Sequence, residues 1–217
     1  DYSSNLFEKT TVAANYSENL PYIVQYNETN HDFLTRLAKT YGEWFLVTGE
    51  NRLYFGDPPS AKVNVLHGKD LLEISFAMKL ASLGFDYKSY NYYTEETITK
   101  NSDAYQPNSE GYLKKSLNVS DDAFDHDEDI YFNSSLSKQA ADKEVASAVK
   151  IDKQGRVARL NTTRGASDNC EIFLGCILKI DSTVISQGSS KTMNSGEFRI
   201  ISLHHVCDEN GNYMNQF

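Results

Sequence analysis

Between Leu72 and Leu80 the chain alternates: Leu72, Ile74, Phe76, Met78 and Leu80 share one parity, and Glu73, Ser75, Ala77 and Lys79 the other. A side-chain period of two predicts a strand with one dry and one wet face. Ser82-Leu83-Gly84 reads as a turn, after which residues 85–93 return as a second strand. Upstream the period changes. Phe33, Leu34, Leu37, Ala38 and Tyr41 recur at helical spacing as one apolar stripe. Thr29 stands at the N-cap with Asp32 three residues on, and Gly42 occupies the C′ stop.

A short β-rich run, residues 22–26, precedes this helix. Two aromatic strands, 44–47 and 53–55, follow it, joined by Thr48-Gly49-Glu50-Asn51-Arg52. The block therefore reads strand, helix, hairpin, and Asp57-Pro58-Pro59 closes it. Residues 1–21 are polar and add little. Downstream, residues 95–129 are polar and irregular, while 136–149 carry Leu136, Ala140, Ala141, Val145 and Ala148 on one helical side. Residues 156–163 read as a strand, 171–181 as a nearly continuous apolar strand and 198–207 as another, followed by the turn pair Asn210-Gly211.

These elements predict an α+β fold, mainly antiparallel β. A small strand–helix–hairpin α/β unit spans residues 1–61. A small β-barrel spans 62–217 and carries a polar, helical insertion at about 95–155. A strand set of this length split by an insertion favours closure, which removes sheet edges.

Composition narrows the function classes. The net charge of −9 repels phosphate backbones and argues against nucleic acid as a partner. No apolar run approaches the ~20 residues of a membrane span, and no signal-like segment is present. If Cys170 and Cys176 share the 171–181 strand they stand about 20 Å apart, beyond the ~7 Å reach of a disulfide. Reduced thiols, and synthesis in the cytoplasm, follow from that reading. Five N-x-S/T triplets start at Asn15, Asn27, Asn118, Asn133 and Asn161, as expected by chance in an Asn-rich chain.

Three constellations bear on chemistry. Ser135-Leu136-Ser137-Lys138, Ser167-Asp168-Asn169 and Lys191-Thr192 follow the order of the S-x-x-K, S-D-N and K-T-G elements of penicillin-recognising enzymes. Met193 replaces the final Gly, and the gaps are too short for the helical domain those enzymes carry. A helix N-terminus and two turns is the plainer reading. The run Asp125-His126-Asp127-Glu128-Asp129 opens like a calcium loop, yet Ile130 and Leu136 stand where Gly and Glu are required. Cys170, Cys176, His204, His205 and Cys207 lack paired zinc spacing, and neighbouring strand histidines point to opposite faces. No pair of carboxylates is singled out for glycoside hydrolysis. The sequence thus predicts no catalytic, cofactor-binding or metal-binding residues.

The segment "YIVQYNETNHDFLTRLAKTYGEWF" resembles the signature of the valine-glycine repeat protein G (VgrG) and phage late-control tail-hub family. "LHGKDLLEISFAMKLASLGF" resembles the opening of that family's second barrel and "IFLGCILKI" a strand within it. "GEFRIISLHHVCDENGNYMNQF" is similar to its closing strand and turn, with Gly211, Tyr213, Asn215 and Phe217 in the pattern. The resemblance covers residues 21–217 and thins from 95 to 163. It implies a hub fragment that starts after the first barrel and stops before the neck and needle.

The resemblance also implies a non-enzymatic structural role, as the hub of a contractile injection machine. The first expectation is a type VI secretion spike, the second a phage or phage-like tail baseplate hub, and the third a secreted hydrolase or carbohydrate-binding module. The implied partners are further copies in a homotrimer, a hexameric tube protein, effectors and baseplate proteins, with no stable membrane association. Aromatic residues of the 44–55 hairpin or the second barrel are expected at the three-fold axis. Localisation would be the bacterial cytoplasm during assembly, then secretion through the apparatus.

Overall fold

A computed structural model describes residues 9–16, 22–48, 52–134, 137–186 and 189–217, with the backbone alone for 9–10, 184–186 and 189–191. In chain order the elements are β1 (Lys9–Ala13), α1 (Asn30–Tyr41), β2 (Trp44–Thr48), β3 (Arg52–Gly56), β4 (Lys62–His67), β5 (Leu71–Met78), β6 (Phe85–Asn91) and β7 (Glu96–Asn101). A 3₁₀ turn (Ser102–Ala104) leads to α2 (Gly111–Ala123), β8 (Glu128–Tyr131), α3 (Lys138–Ala158), β9 (Asn161–Ser167), β10 (Ile177–Ser186), β11 (Ser189–Arg199), β12 (His204–Cys207) and β13 (Tyr213–Gln216). The fold is α+β with sheet predominating. Two compact units divide it. One holds residues 9–16, Gln25–Ala77 and Thr162–Phe217, the other residues 22–24 and Met78–Asn161.

The first unit contains the strand–helix–hairpin block. The Thr29 hydroxyl accepts the Asp32 amide at 3.2 Å and donates to the Asp32 carboxylate at 2.7 Å, which satisfies one orphan donor at the start of α1. Gly42 ends the helix in the left-handed region, φ 68°, and its amide reaches the Ala38 carbonyl. β2 and β3 form the expected antiparallel hairpin, Phe45 opposite Phe55. Its connection, residues 49–51, lies outside the described residues.

Residues 22–26 form no strand, although their composition favours one, and Tyr22 and Tyr26 are exposed. β propensity is realised only against a neighbour. Both sides of β3 are already taken, by β2 and by β1, which runs parallel to it from Lys9–Arg52 to Ala13–Gly56.

The same unit holds a seven-stranded sheet of order β11-β10-β4-β5-β9-β13-β12. It is open, not the expected closed barrel: among the described residues β11 and β12 are its edges and do not pair with each other. It is also mixed, since β10 runs parallel to β4 and antiparallel to β11. Its core is Val63, Val65, Leu71, Ile172, Cys176, Leu178, Ile180 and Ile200, with Ile74 and Phe76 packed against them. Each such side chain, fully removed from water, contributes about 1.5–3 kcal/mol. The alternation from Leu72 to Leu80 holds only at its centre. Ile74 and Phe76 face the core, whereas Leu72, Met78 and Leu80 are about half exposed and Leu71 is the buried residue.

Strand β10 begins only at Ile177. Residues 171–176 are turns, in which the Asn169 carbonyl accepts the Ile172 amide and the Phe173 carbonyl accepts that of Cys176. Cys170 and Cys176 therefore share no strand, and the spacing argument fails with it. Both thiols are free, as is Cys207. The expected strand at 198–207 is broken between Arg199 and His204, while the Asn210-Gly211 turn does join β12 and β13.

The second unit is built on the sheet β7-β6-β8, with α3 packed on one face. β6 does not return against β5; it pairs with β7 and, in parallel, with β8. The region expected to be irregular, 95–129, supplies β7, α2 and part of β8. Helix α3 runs nine residues past the expected end at Val149, to Ala158, and the strand expected from 156 starts at Asn161. Phe85, Ile98, Ala141, Val145 and Val149 form one core, and Leu83, Leu117, Val157 and Leu160 another.

Candidate functional site

Built from its residues, the strand–helix–hairpin block is a clamped wedge. Glu43, at the turn between α1 and β2, is buried. Its carboxylate accepts the Asn15 amide at 2.6 Å, the Tyr16 amide at 2.8 Å and the Asn15 side chain at 3.3 Å. The Asn15 side chain also donates to Asp57 at 2.8 Å. These bonds fix the chain leaving β1 to both ends of the hairpin. They were invisible in the sequence, because nothing local ties Glu43 to a residue 28 positions away.

The hairpin is fastened to the large sheet of its unit by Arg199, at the end of β11. Its Nη1 donates to the carbonyls of Pro59 (3.0 Å) and Gly175 (2.6 Å), and its guanidinium lies 5.4 Å from the Trp44 ring centroid. Burial pulls Arg199 below its ordinary value, and the Cys176 thiol is pushed up, likewise by burial. Phe45 packs on Phe55 and His31, with centroids at 6.2 and 5.5 Å. Of the hairpin's apolar side chains, Trp44 and Val47 retain substantial exposure.

The motif residues have structural work. The Ser167 hydroxyl donates to the Asp70 carbonyl and accepts the Asn169 amide. Asp70 in turn accepts the Leu66 amide at 2.7 Å and the Asn169 side chain at 3.3 Å. Ser167-Asp168-Asn169 is thus a turn locked to the β4–β5 loop. Lys138 pairs with Glu96 at 2.7 Å. Ser135 and the Lys191 side chain lie outside the described residues.

In the acidic run, Asp127 accepts from Asn101 (3.0 Å), Glu128 pairs with Arg156 (3.1 Å) and Asp129 with Lys88 (2.7 Å), so three of its carboxylates already have protein partners. The His205 ring stacks on Tyr213, its Nδ1 2.6 Å from the phenol oxygen, while His204 is exposed. Among the described residues no group of three or more His, Cys, Asp and Glu is placed to hold a metal ion. The arrangement leaves part of the hairpin's apolar surface, at Trp44 and Val47, open.

The fold has relatives among solved structures. The 43 kDa tail protein of prophage MuSo2 from Shewanella oneidensis shares 12% identity at a TM-score of 0.53, over 96% of this chain and 58% of that one. The tail protein from Neisseria meningitidis MC58 shares 8% identity at a TM-score of 0.56, over 97% and 61%. The chain thus spans about three fifths of the length of these structures. No curated protein matches it. The profile of phage tail baseplate hub (GPD) proteins matches residues 3–211, nearly the whole sequence. The chain belongs to the phage tail baseplate hub (GPD) family.

Proposed function

We propose that this chain is a structural segment of the hub at the tip of a contractile injection machine, assembling as a homotrimer that docks on a hexameric tube protein. The family match over residues 3–211 carries this reading. The clamped wedge supports it, since Glu43 and Arg199 spend their charges on holding backbone together and not on a substrate. The setting is a phage or phage-like tail, in keeping with the tail proteins that share the fold. The type VI secretion spike is the second setting, since residues 22–45 resemble a signature that the spike proteins share with phage late-control hubs. In that setting the hub is made in the bacterial cytoplasm and expelled carrying effectors.

Sedimentation of the full-length gene product tests the assembly. A trimer that binds its own tube protein is expected. A stable monomer with no affinity for the tube would overturn the proposal. Whether the tube gene lies in a phage or a secretion cluster decides between the two settings.

A further inference from the structure

We propose that Asn210 is a self-modification site: the Gly211 backbone amide cyclises onto the Asn210 side chain, and hydrolysis leaves aspartate or isoaspartate in the turn between β12 and β13. Asn210-Gly211 is the one Asn-Gly pair in the sequence. Both residues are exposed, and Gly211 has open space where a Cβ would stand, so no side chain shields its amide nitrogen. The other asparagines of this hairpin are less open to the reaction. Asn212 precedes Tyr213 and Asn215 precedes Gln216, whose side chains crowd the attacking nitrogen, and Asn215 is buried.

The step needs only water. The Gly211 nitrogen loses its proton and bonds to Cγ of Asn210. The Cγ–Nδ2 bond breaks, and ammonia departs with that proton. Water then opens the cyclic imide. Attack at Cγ gives aspartate; attack at the main-chain carbonyl gives isoaspartate.

Asp208 holds the reaction back. Its carbonyl accepts the Gly211 amide at 3.0 Å, which occupies the nucleophile and closes a turn completed by Gly211 in the left-handed region, φ 81°. Its carboxylate accepts the amides of Asn210 at 2.9 Å and Asn212 at 2.8 Å, and its negative charge opposes loss of a proton from the neighbouring amide. Cyclisation therefore starts from the opened turn. Opening costs little here, since every residue from His204 to Asn212 is exposed and β12 is an edge strand.

Either product alters the hairpin. Aspartate sets a second carboxylate beside Asp208. Isoaspartate lengthens the main chain by a methylene, so the turn no longer fits the Cys207–Tyr213 pair that it closes.

Incubation of the intact protein in mildly alkaline buffer, with digestion and mass spectrometry at intervals, tests this. The peptide 200–217, released by cleavage after Arg199, should gain the mass of amide-to-acid exchange, and fragment ions should place the gain at residue 210. Isoaspartyl methyltransferase should label part of the product. Asn210→Gln, whose longer side chain disfavours the ring, should melt with the parent and show no gain at residue 210. Asp208→Ala should react about tenfold faster, the factor that one bond to a charged acceptor represents. An unmodified residue 210 in the folded protein, under conditions that modify the urea-unfolded chain, overturns the proposal, as does a gain confined to Asn212 or Asn215. An Asp208→Ala rate equal to the parent's overturns the restraint assigned to Asp208.

Discussion

The carboxylate of Glu43 accepts the backbone amide of Asn15 at 2.6 Å and that of Tyr16 at 2.8 Å, joining the end of β1 to the start of β2. Bonds to a charged acceptor contribute about 1.5–3 kcal/mol each when they are kept from water. Glu43→Ala should therefore destabilise the first unit by roughly 2–4 kcal/mol, read as a lower urea midpoint. Glu43→Gln keeps one acceptor oxygen and should lose about half as much. An unchanged midpoint in Glu43→Ala would show that the latch contributes nothing.

Helix α1 is set by its ends. Thr29→Ala removes the N-cap oxygen and should cost about 1 kcal/mol. Gly42→Ala places a Cβ at φ 68° and should cost a similar amount. The two sites lie at opposite ends of the helix, so the double variant should show the sum of the single losses. Coupling well beyond experimental error would contradict independent caps.

Arg199 serves by shape as well as charge. Lysine cannot lie flat on Trp44, and as a point charge on a flexible stem it holds the two carbonyls less firmly. Arg199→Lys is expected to lower the thermal midpoint and to blue- or red-shift Trp44 fluorescence, the only tryptophan in the chain. A spectrum identical to the parent's would show that the guanidinium does not sit on the indole.

Gly165 illustrates close approach in place of backbone strain. A Cβ there would meet the Glu73 carbonyl at 2.6 Å and the Phe217 ring at 2.7 Å. Gly165→Ala should therefore displace Phe217 and destabilise by about 1–3 kcal/mol, the usual range for overpacking. Gly155, in α3, has open space at the same position, and Gly155→Ala should stabilise by up to about 1 kcal/mol. Opposite signs for the two glycines are the expected result in parallel denaturation curves.

Asp208 supplies a pH test. Its carboxylate accepts the Asn212 side chain at 2.7 Å and the amides of Asn212 and Asn210 at 2.8 and 2.9 Å, which hold it below the ordinary aspartate value. A group with a depressed folded value contributes stability that is complete above its unfolded value, about 4, and lost as pH falls through the folded one. Carboxyl NMR should therefore show Asp208 titrating below the ordinary aspartate value. In Asn212→Ala, which removes the side-chain donor, its titration should move up towards that value.

Reading the fold from sequence worked where the signal was local. Helix α1 carried its stripe, cap and stop within fourteen residues, and the β2–β3 and β12–β13 hairpins carried their own punctuation. It failed where polar residues line a core face. In α2, Ser116 and Ser120 are buried beside Leu117, Ser116 donating to the Asn161 side chain at 2.6 Å, so the apolar stripe is too thin to recognise. The far end of α3 hides in the same way. Lys153 is buried with its ammonium on the Leu83 carbonyl at 2.8 Å, and Arg156 lies over the Phe85 ring at 4.4 Å. Strand pairing was least readable, since nothing in Lys9–Ala13 announces a partner more than forty residues on. The wedge's two long-range fasteners, Glu43 and Arg199, escaped for that same reason.

The seven-stranded sheet ends on two unlike margins, β11 and β12. Backbone donors and acceptors along such borders are a template on which another chain can pair. Where one margin meets the other, growth would be head to tail, giving a ring if the rotation closes and a fibre if it does not. Purified by itself at high concentration, this polypeptide should thus scatter light progressively as protein is added, and dilution or a capping strand should clear the solution.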